Sequence, residues 1–139
     1  MRNVIVIAVV FAAWLFTAAQ EQKIRKVPAS QSNASSGKEM YTAYCASCHG
    51  INAKGNGPAA SALKTPPSDL TMLSKKNGGK FPAGHVYEVI NGRAGTAAHG
   101  SSAMPAWGPV FRQLSSGHQE EVQQRITNVT DYIRSMQML

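Results

Sequence analysis

Cysteine is scarce in this chain: two in 139 residues, separated by only two positions. That excludes a disulfide-stapled scaffold, which needs several pairs spread along the sequence. Acid is also sparse, with 7 Asp and Glu against 14 Lys and Arg, so the formal charge is +7. The positives never gather in a dense run; Lys75, Lys76 and Lys80 come nearest. Without such a run the basic balance argues against nucleic acid and for solvated faces with an acidic protein partner. No segment alternates apolar and polar residues over a strand's length, which excludes a β architecture. Internal repeats are missing. So is any paired-carboxylate or Ser-His-Asp constellation that would suggest catalysis.

The longest apolar run, Val4 to Phe16, is shorter than the roughly 20 residues that span a bilayer. Arg2 precedes it, and the small residues Thr17-Ala18-Ala19 follow before polar Gln20. Residues 1–19 therefore read as an export signal cleaved after Ala19, with an uncleaved N-terminal anchor as the alternative. Both place the folded domain outside the cytoplasm, in the periplasm or at the outer face of the inner membrane. Residues 20–36 are rich in Ser, Ala, Gln and Lys and cannot support a core, so they read as a flexible polar linker.

The domain is expected over residues 37–139. Ser36 is placed to cap a helix, with Glu39 three residues on as in a capping box, and Met40, Tyr41 and Tyr44 share one face. Residues 50–84 are loop-like, with five glycines after Gly50 and four prolines. Pro58 is suited to open a short helix through Lys64, and Ser68-Asp69 to start a turn. A stretch this irregular fits a chain that wraps a large rigid ligand. A helix is expected over residues 84–91, closed by Gly92, then a small-residue loop over 95–102. The last helix is expected over 117–136, with Val122, Ile126, Val129 and Ile133 spaced four, three and four apart. The fold class is all-α.

The two cysteines belong to Cys45-Ala46-Ser47-Cys48-His49, the C-x-x-C-H pattern of covalent haem attachment. Two thiols three apart at a helix end each form a thioether with one vinyl group, and the next residue falls beneath the iron. His49 then supplies the proximal nitrogen, with its other ring nitrogen held by a backbone acceptor. Two rivals exist. A redox disulfide belongs on a β-α-β scaffold, which is missing here. Zinc would need two more ligands from His85, His99 and His118, whose spacing matches no zinc module.

A closed electron carrier needs a second axial ligand. The candidates are Met72, Met104, Met136, Met138, His85, His99 and His118; Met40 is too close to the attachment site to reach the opposite face. Met104 is preferred because it sits in a loop well beyond the wrapping region and Pro105 stiffens the chain after it. His99 is the next candidate. Core filling is the competing role for any Met.

Taken in order, Gly37-x-x-x-Tyr41-x-x-x-Cys45-x-x-Cys48-His49-Gly50, Asn91-Gly92, Met104-Pro105-Ala106-Trp107 and Tyr132 in the last helix resemble the class I c-type cytochromes. The resemblance covers residues 37–136. It implies a small helical bundle around one covalently attached haem c, working as a one-electron carrier without enzymatic activity. It also implies His49 and Met104 as axial ligands, and a first and last helix that cross where Gly37 lets Tyr41 approach Tyr132. Trp107 is implied near the haem, Arg93 as a propionate partner, and the Pro58 carbonyl as the acceptor for His49. Partners are redox proteins with an acidic docking face, or a membrane respiratory complex. A haem enzyme or gas sensor with a labile sixth position is the competing function.

Overall fold

The computed structural model describes residues 32–94 and 104–138. The export segment, residues 20–31 of the linker and the loop with His99 lie outside the described residues. Within them all regular structure is helical.

The first helix, α1 (residues 37–49), has three consecutive parts: α-helical Gly37–Met40, a π-helical turn over Tyr41–Cys45, and α-helical Ala46–His49. Its start follows the capping expectation, since the Ser36 hydroxyl accepts from the Glu39 N–H at 3.2 Å. The wide turn ends on Cys45, the first residue of the C-x-x-C-H run, and such turns recur at functional sites. A 3₁₀ turn forms over Ala60–Ala62. A second, Leu70–Met72, leads into α2 (Leu73–Lys76). Then follow α3 (Ala83–Asn91), α4 (Trp107–Leu114) and α5 (Gln119–Ser135).

Helix α5 is the spine, and α1, α3 and α4 all pack on it. Its expected apolar face is buried: Val122, Ile126, Val129 and Ile133 are each at most 3 % exposed. Met40 and Tyr41 from α1, Val86 and Ile90 from α3, and Phe111 from α4 close the same core. Helices α1 and α5 cross at Gly37, where any Cβ would overlap the Asn128 carbonyl. That close approach brings the Tyr41 and Tyr132 rings to 5.4 Å between centroids. Gly92 ends α3 in the left-handed region at φ 82°, as its place in the sequence suggested.

Three departures from the sequence reading have local causes. Pro58 does not open a helix, because the flanking amides are drawn to α1: Gly57 N–H donates to the Cys48 carbonyl and Ala59 N–H to the Ser47 carbonyl. These bonds satisfy orphan acceptors at the end of α1, and only Ala60–Ala62 turns helically. Helix α4 was not foreseen. Gly108 and Pro109 read as breakers, yet Pro109 falls in the first turn, where a missing N–H costs nothing. The end of the polar stretch, residues 32–36, is tied down rather than free. Arg125, only 5 % exposed, donates to the Ser32 carbonyl and the Glu121 carboxylate, and Asn128 donates to the Ala34 carbonyl. Composition hides this, because the linker contributes backbone carbonyls to these bonds.

Tyr41 also acts through its hydroxyl, which donates to the Gly50 carbonyl at 2.8 Å in a buried setting. Burial first, then Cys45 and Tyr132, hold that hydroxyl well above the ordinary phenol range, so it stays a donor. Tyr41→Phe keeps the ring and strands the carbonyl. It is expected to cost about 1–3 kcal/mol of unfolding free energy. Denaturant melts of the haem-loaded protein measure it, and an unchanged midpoint would show that the bond contributes nothing.

Candidate haem site

The C-terminal half of α1 carries Cys45, Cys48 and His49 into one apolar cleft of about 280 Å³. Tyr44 from α1 lines it too. A second segment gives Leu63, Thr65, Pro66, Pro67 and Ser68, and a third gives Met104, Pro105 and Trp107. The loop after α1 is thereby brought back over the cysteines. Gly55 enables this: it has φ 78°, and a Cβ there would overlap the Pro67 carbonyl. Trp107 is held in place by aromatic neighbours, with centroids 5.3 Å from Tyr44 and 5.9 Å from Phe111.

His49 Nδ1 lies 3.0 Å from the Ser68 carbonyl oxygen. A carbonyl only accepts, so Nδ1 carries the proton and Nε2 is the ligating nitrogen of this tautomer. The sequence reading expected the Pro58 carbonyl in this role. Pro58 is exposed and borders a separate shallow depression with Thr42, Ala46 and Ser47. The sequence did carry a signal for Ser68. Its neighbour Asp69 is a helix cap, and a cap fixes the direction of the preceding peptide. Asp69 Oδ1 accepts from the Thr71 N–H at 2.9 Å and from its hydroxyl at 2.6 Å.

Those bonds, the hydroxyl of Thr71 foremost, hold the Asp69 carboxyl below the ordinary aspartate range. A group with a lowered folded pKa stabilises above its unfolded value, ~3.9, and the contribution is lost as pH falls through the depressed value. Acid titration of the fold should therefore show a loss below about pH 4. In Asp69→Asn that part of the pH dependence should be missing. An unaltered acid limb in the variant would remove Asp69 from the account.

Among the ligand candidates, Met104 lines the cleft, while Met72, Met136, Met138, His85 and His118 do not. His99 lies outside the described residues. Met40 is fully buried in the core. Arg93 is exposed and is not part of the cleft wall. No three His, Cys, Asp or Glu side chains converge as metal ligands among the described residues, so zinc finds no completed set there. The redox-disulfide reading fares no better. Burial, with Cys48 beside it, pushes the Cys45 thiol up to about 12. An attacking redox cysteine has the opposite shift.

The residues fit haem c on their own chemistry. Two unjoined thiols, an imidazole in a fixed tautomer and a thioether converge on one apolar cleft. No described helix is long and apolar enough to cross a membrane. No curated protein and no solved structure matches the chain. Residues 32–133 match the family described as cytochrome c oxidase, cbb3-type, subunit III. The match spans most of the chain, from the residues tied down before α1 to the spine helix α5. The chain belongs to that family, and its folded unit is a c-type cytochrome domain, an electron carrier built around covalently bound haem c.

Proposed function

We propose that this protein is an exported monohaem carrier passing single electrons between respiratory proteins, with haem attached at Cys45 and Cys48 and His49 and Met104 as axial ligands. The carrying observation is the convergence of these four side chains on one cleft. Haem c supplies the Fe(III)/Fe(II) couple. His49 binds through Nε2, oriented by the Ser68 carbonyl, and this bond raises the basicity of the ring. Met104, which lines the same cleft, would hold the group through its thioether, which favours the reduced state compared with a second histidine. Trp107 and the Pro66-Pro67 wall keep water from the cleft. With His49 and Met104 both holding the iron, substrates would have no access to the metal, which would separate a carrier from a haem enzyme or gas sensor.

An absorption spectrum of the purified protein tests this. Sharp reduced bands of low-spin haem c, and no carbon monoxide adduct in the native reduced state, are the expected result. A high-spin spectrum or ready carbon monoxide binding would move the protein to the sensor or enzyme class.

The sequence carries +7, so the docking partner is expected to present an acidic face. Transfer rates to such a partner should fall as ionic strength rises from 10 mM to 0.15 M, because the screening length shrinks from about 30 to 8 Å. Rates indifferent to salt would argue against charge steering. The family description supports a second setting, a subunit of an oxidase; in that setting residues 4–19 would be the uncleaved anchor. High-salt washing separates the two, since a tethered form stays with the membrane.

A further inference from the structure

Gln137 lies two residues beyond α5, in a tail that reads as a frayed end, yet its side chain makes three hydrogen bonds. Nε2 donates to the Leu70 carbonyl at 2.7 Å and to the Ile133 carbonyl at 2.9 Å. Oε1 accepts from the Ser74 N–H at 2.8 Å. The next residue adds a fourth tie, with Met138 N–H donating to the Thr71 carbonyl at 2.9 Å. Three of these four bonds cross from the C-terminus to residues 70–74.

That segment needs outside help. Helix α2 has no side-chain cap of its own. Ser74 is in its first turn, where an N–H has no partner within the helix. Gln137 supplies the missing acceptor from 63 residues away. The Gln amide offers a donor and an acceptor at once, so it can hold the Leu70 carbonyl and the Ser74 amide together.

At its other end the segment is fixed by Leu70 N–H donating to the Ala53 carbonyl at 2.8 Å, and by the Asp69 cap. Directly before that cap is Ser68, whose carbonyl receives the His49 ring. We infer that Gln137 is a positioning residue for the haem-binding histidine: it clamps residues 70–74 so that the Ser68 carbonyl stays in register with His49 Nδ1. This role rests on His49 being an iron ligand. It assigns to the C-terminal tail an influence on the ligand's hydrogen bond, and through it on the reduction potential. The clamp keeps the imidazole more basic, which favours the oxidised state.

The test compares the haem-loaded wild type with Gln137→Ala, Gln137→Glu and the control Asp131→Asn, which breaks only an exposed pair with Arg134. Hydrogen exchange of the His49 Nδ1–H and the Ser74 amide is read by NMR, alongside the potential. In Gln137→Ala both protons should exchange about tenfold faster, the scale of one lost hydrogen bond, and the potential should rise. Core amides of α3 should be unchanged. Gln137→Glu keeps an acceptor for Ser74 but loses the donor to Leu70. It should protect the Ser74 amide while His49 still loosens, and it decides the matter if the alanine variant fails to fold. Asp131→Asn should match the wild type. His49 exchange and the potential unmoved in both Gln137 variants, with Ser74 exchanging faster in Gln137→Ala, would reduce Gln137 to a stabilising cap and overturn the proposal. A wild type with no haem-shifted His49 ring signals would instead overturn the ligation, and this role with it.

Discussion

Replacing Met104 with alanine is expected to turn a closed haem protein into one that binds carbon monoxide when reduced. On the proposed attachment Cys45 and Cys48 would hold the haem covalently and His49 would keep its side of the iron, so the variant should stay loaded. The thioether is what is lost. Water or solutes then reach the iron through the cleft that Met104 and Pro105 line. A thioether stabilises the reduced state, so the potential should fall by a sizeable part of the ~0.8 V range that axial ligands span. The weak far-red band of the oxidised protein should vanish. Met72→Ala is the control, since Met72 is half-buried but does not line the cleft. It should lose some stability and keep its spectrum. Potentiometric titration and carbon monoxide difference spectra measure both variants. A Met104→Ala protein that stays low-spin and refuses carbon monoxide would place the ligand elsewhere, with His99 the next candidate.

The sequence was most legible where one residue type has one physical use. Ser36 before an apolar stripe means a cap, and the Ser36 hydroxyl does cap α1. Val122, Ile126, Val129 and Ile133 mark a single helical face, and that face is the core. The site was legible in its cysteines and histidine because covalent attachment needs a fixed local spacing. What resisted reading was non-local and made by backbone atoms. Ser68 meets His49 through a carbonyl, so only the Asp69 cap beside it marks the place, and that only indirectly. Gln137 caps a helix 63 residues away, where local pattern has no reach. Arg125 is buried although an arginine ordinarily stays at the surface, because Glu121, Ser115 and the Ser32 carbonyl surround its guanidinium. Its i,i+4 partner was visible; its two distant ones were not. Helix α4 was hidden by Gly108, which reads as a breaker. Gly108 is required there because a Cβ would overlap the Asn91 side chain at the junction of α3 and α4.

The same chemical change at two glycines should move stability in opposite directions. Gly37 and Gly84 both lie in helices, and in neither is φ positive. Around Gly84 a Cβ meets nothing within 4 Å. Gly84→Ala should therefore stabilise by about 0.4–1 kcal/mol, chiefly by narrowing the unfolded ensemble. At Gly37 a Cβ overlaps the Asn128 carbonyl and lies 3.0 Å from the Tyr132 Cβ. Backbone oxygen cannot swing aside as a flexible side chain can, so α1 and α5 must separate. The intrinsic preference for alanine, at most about 1 kcal/mol, does not offset overpacking of about 1–3 kcal/mol together with the loosened Tyr41–Tyr132 contact. Separation has a second consequence. Tyr41 holds the Gly50 carbonyl next to His49, so a displaced α1 shifts the histidine it carries. Gly37→Ala should thus lose stability and also perturb the haem spectrum, whereas Gly84→Ala should leave the spectrum alone. Denaturant unfolding of both holoproteins, followed in the haem absorption and in the far-ultraviolet, reads the two effects separately. If both variants gain stability, the crossing at Gly37 is looser than its contacts indicate, and the packing of α1 on α5 cannot be what fixes His49 over the cleft.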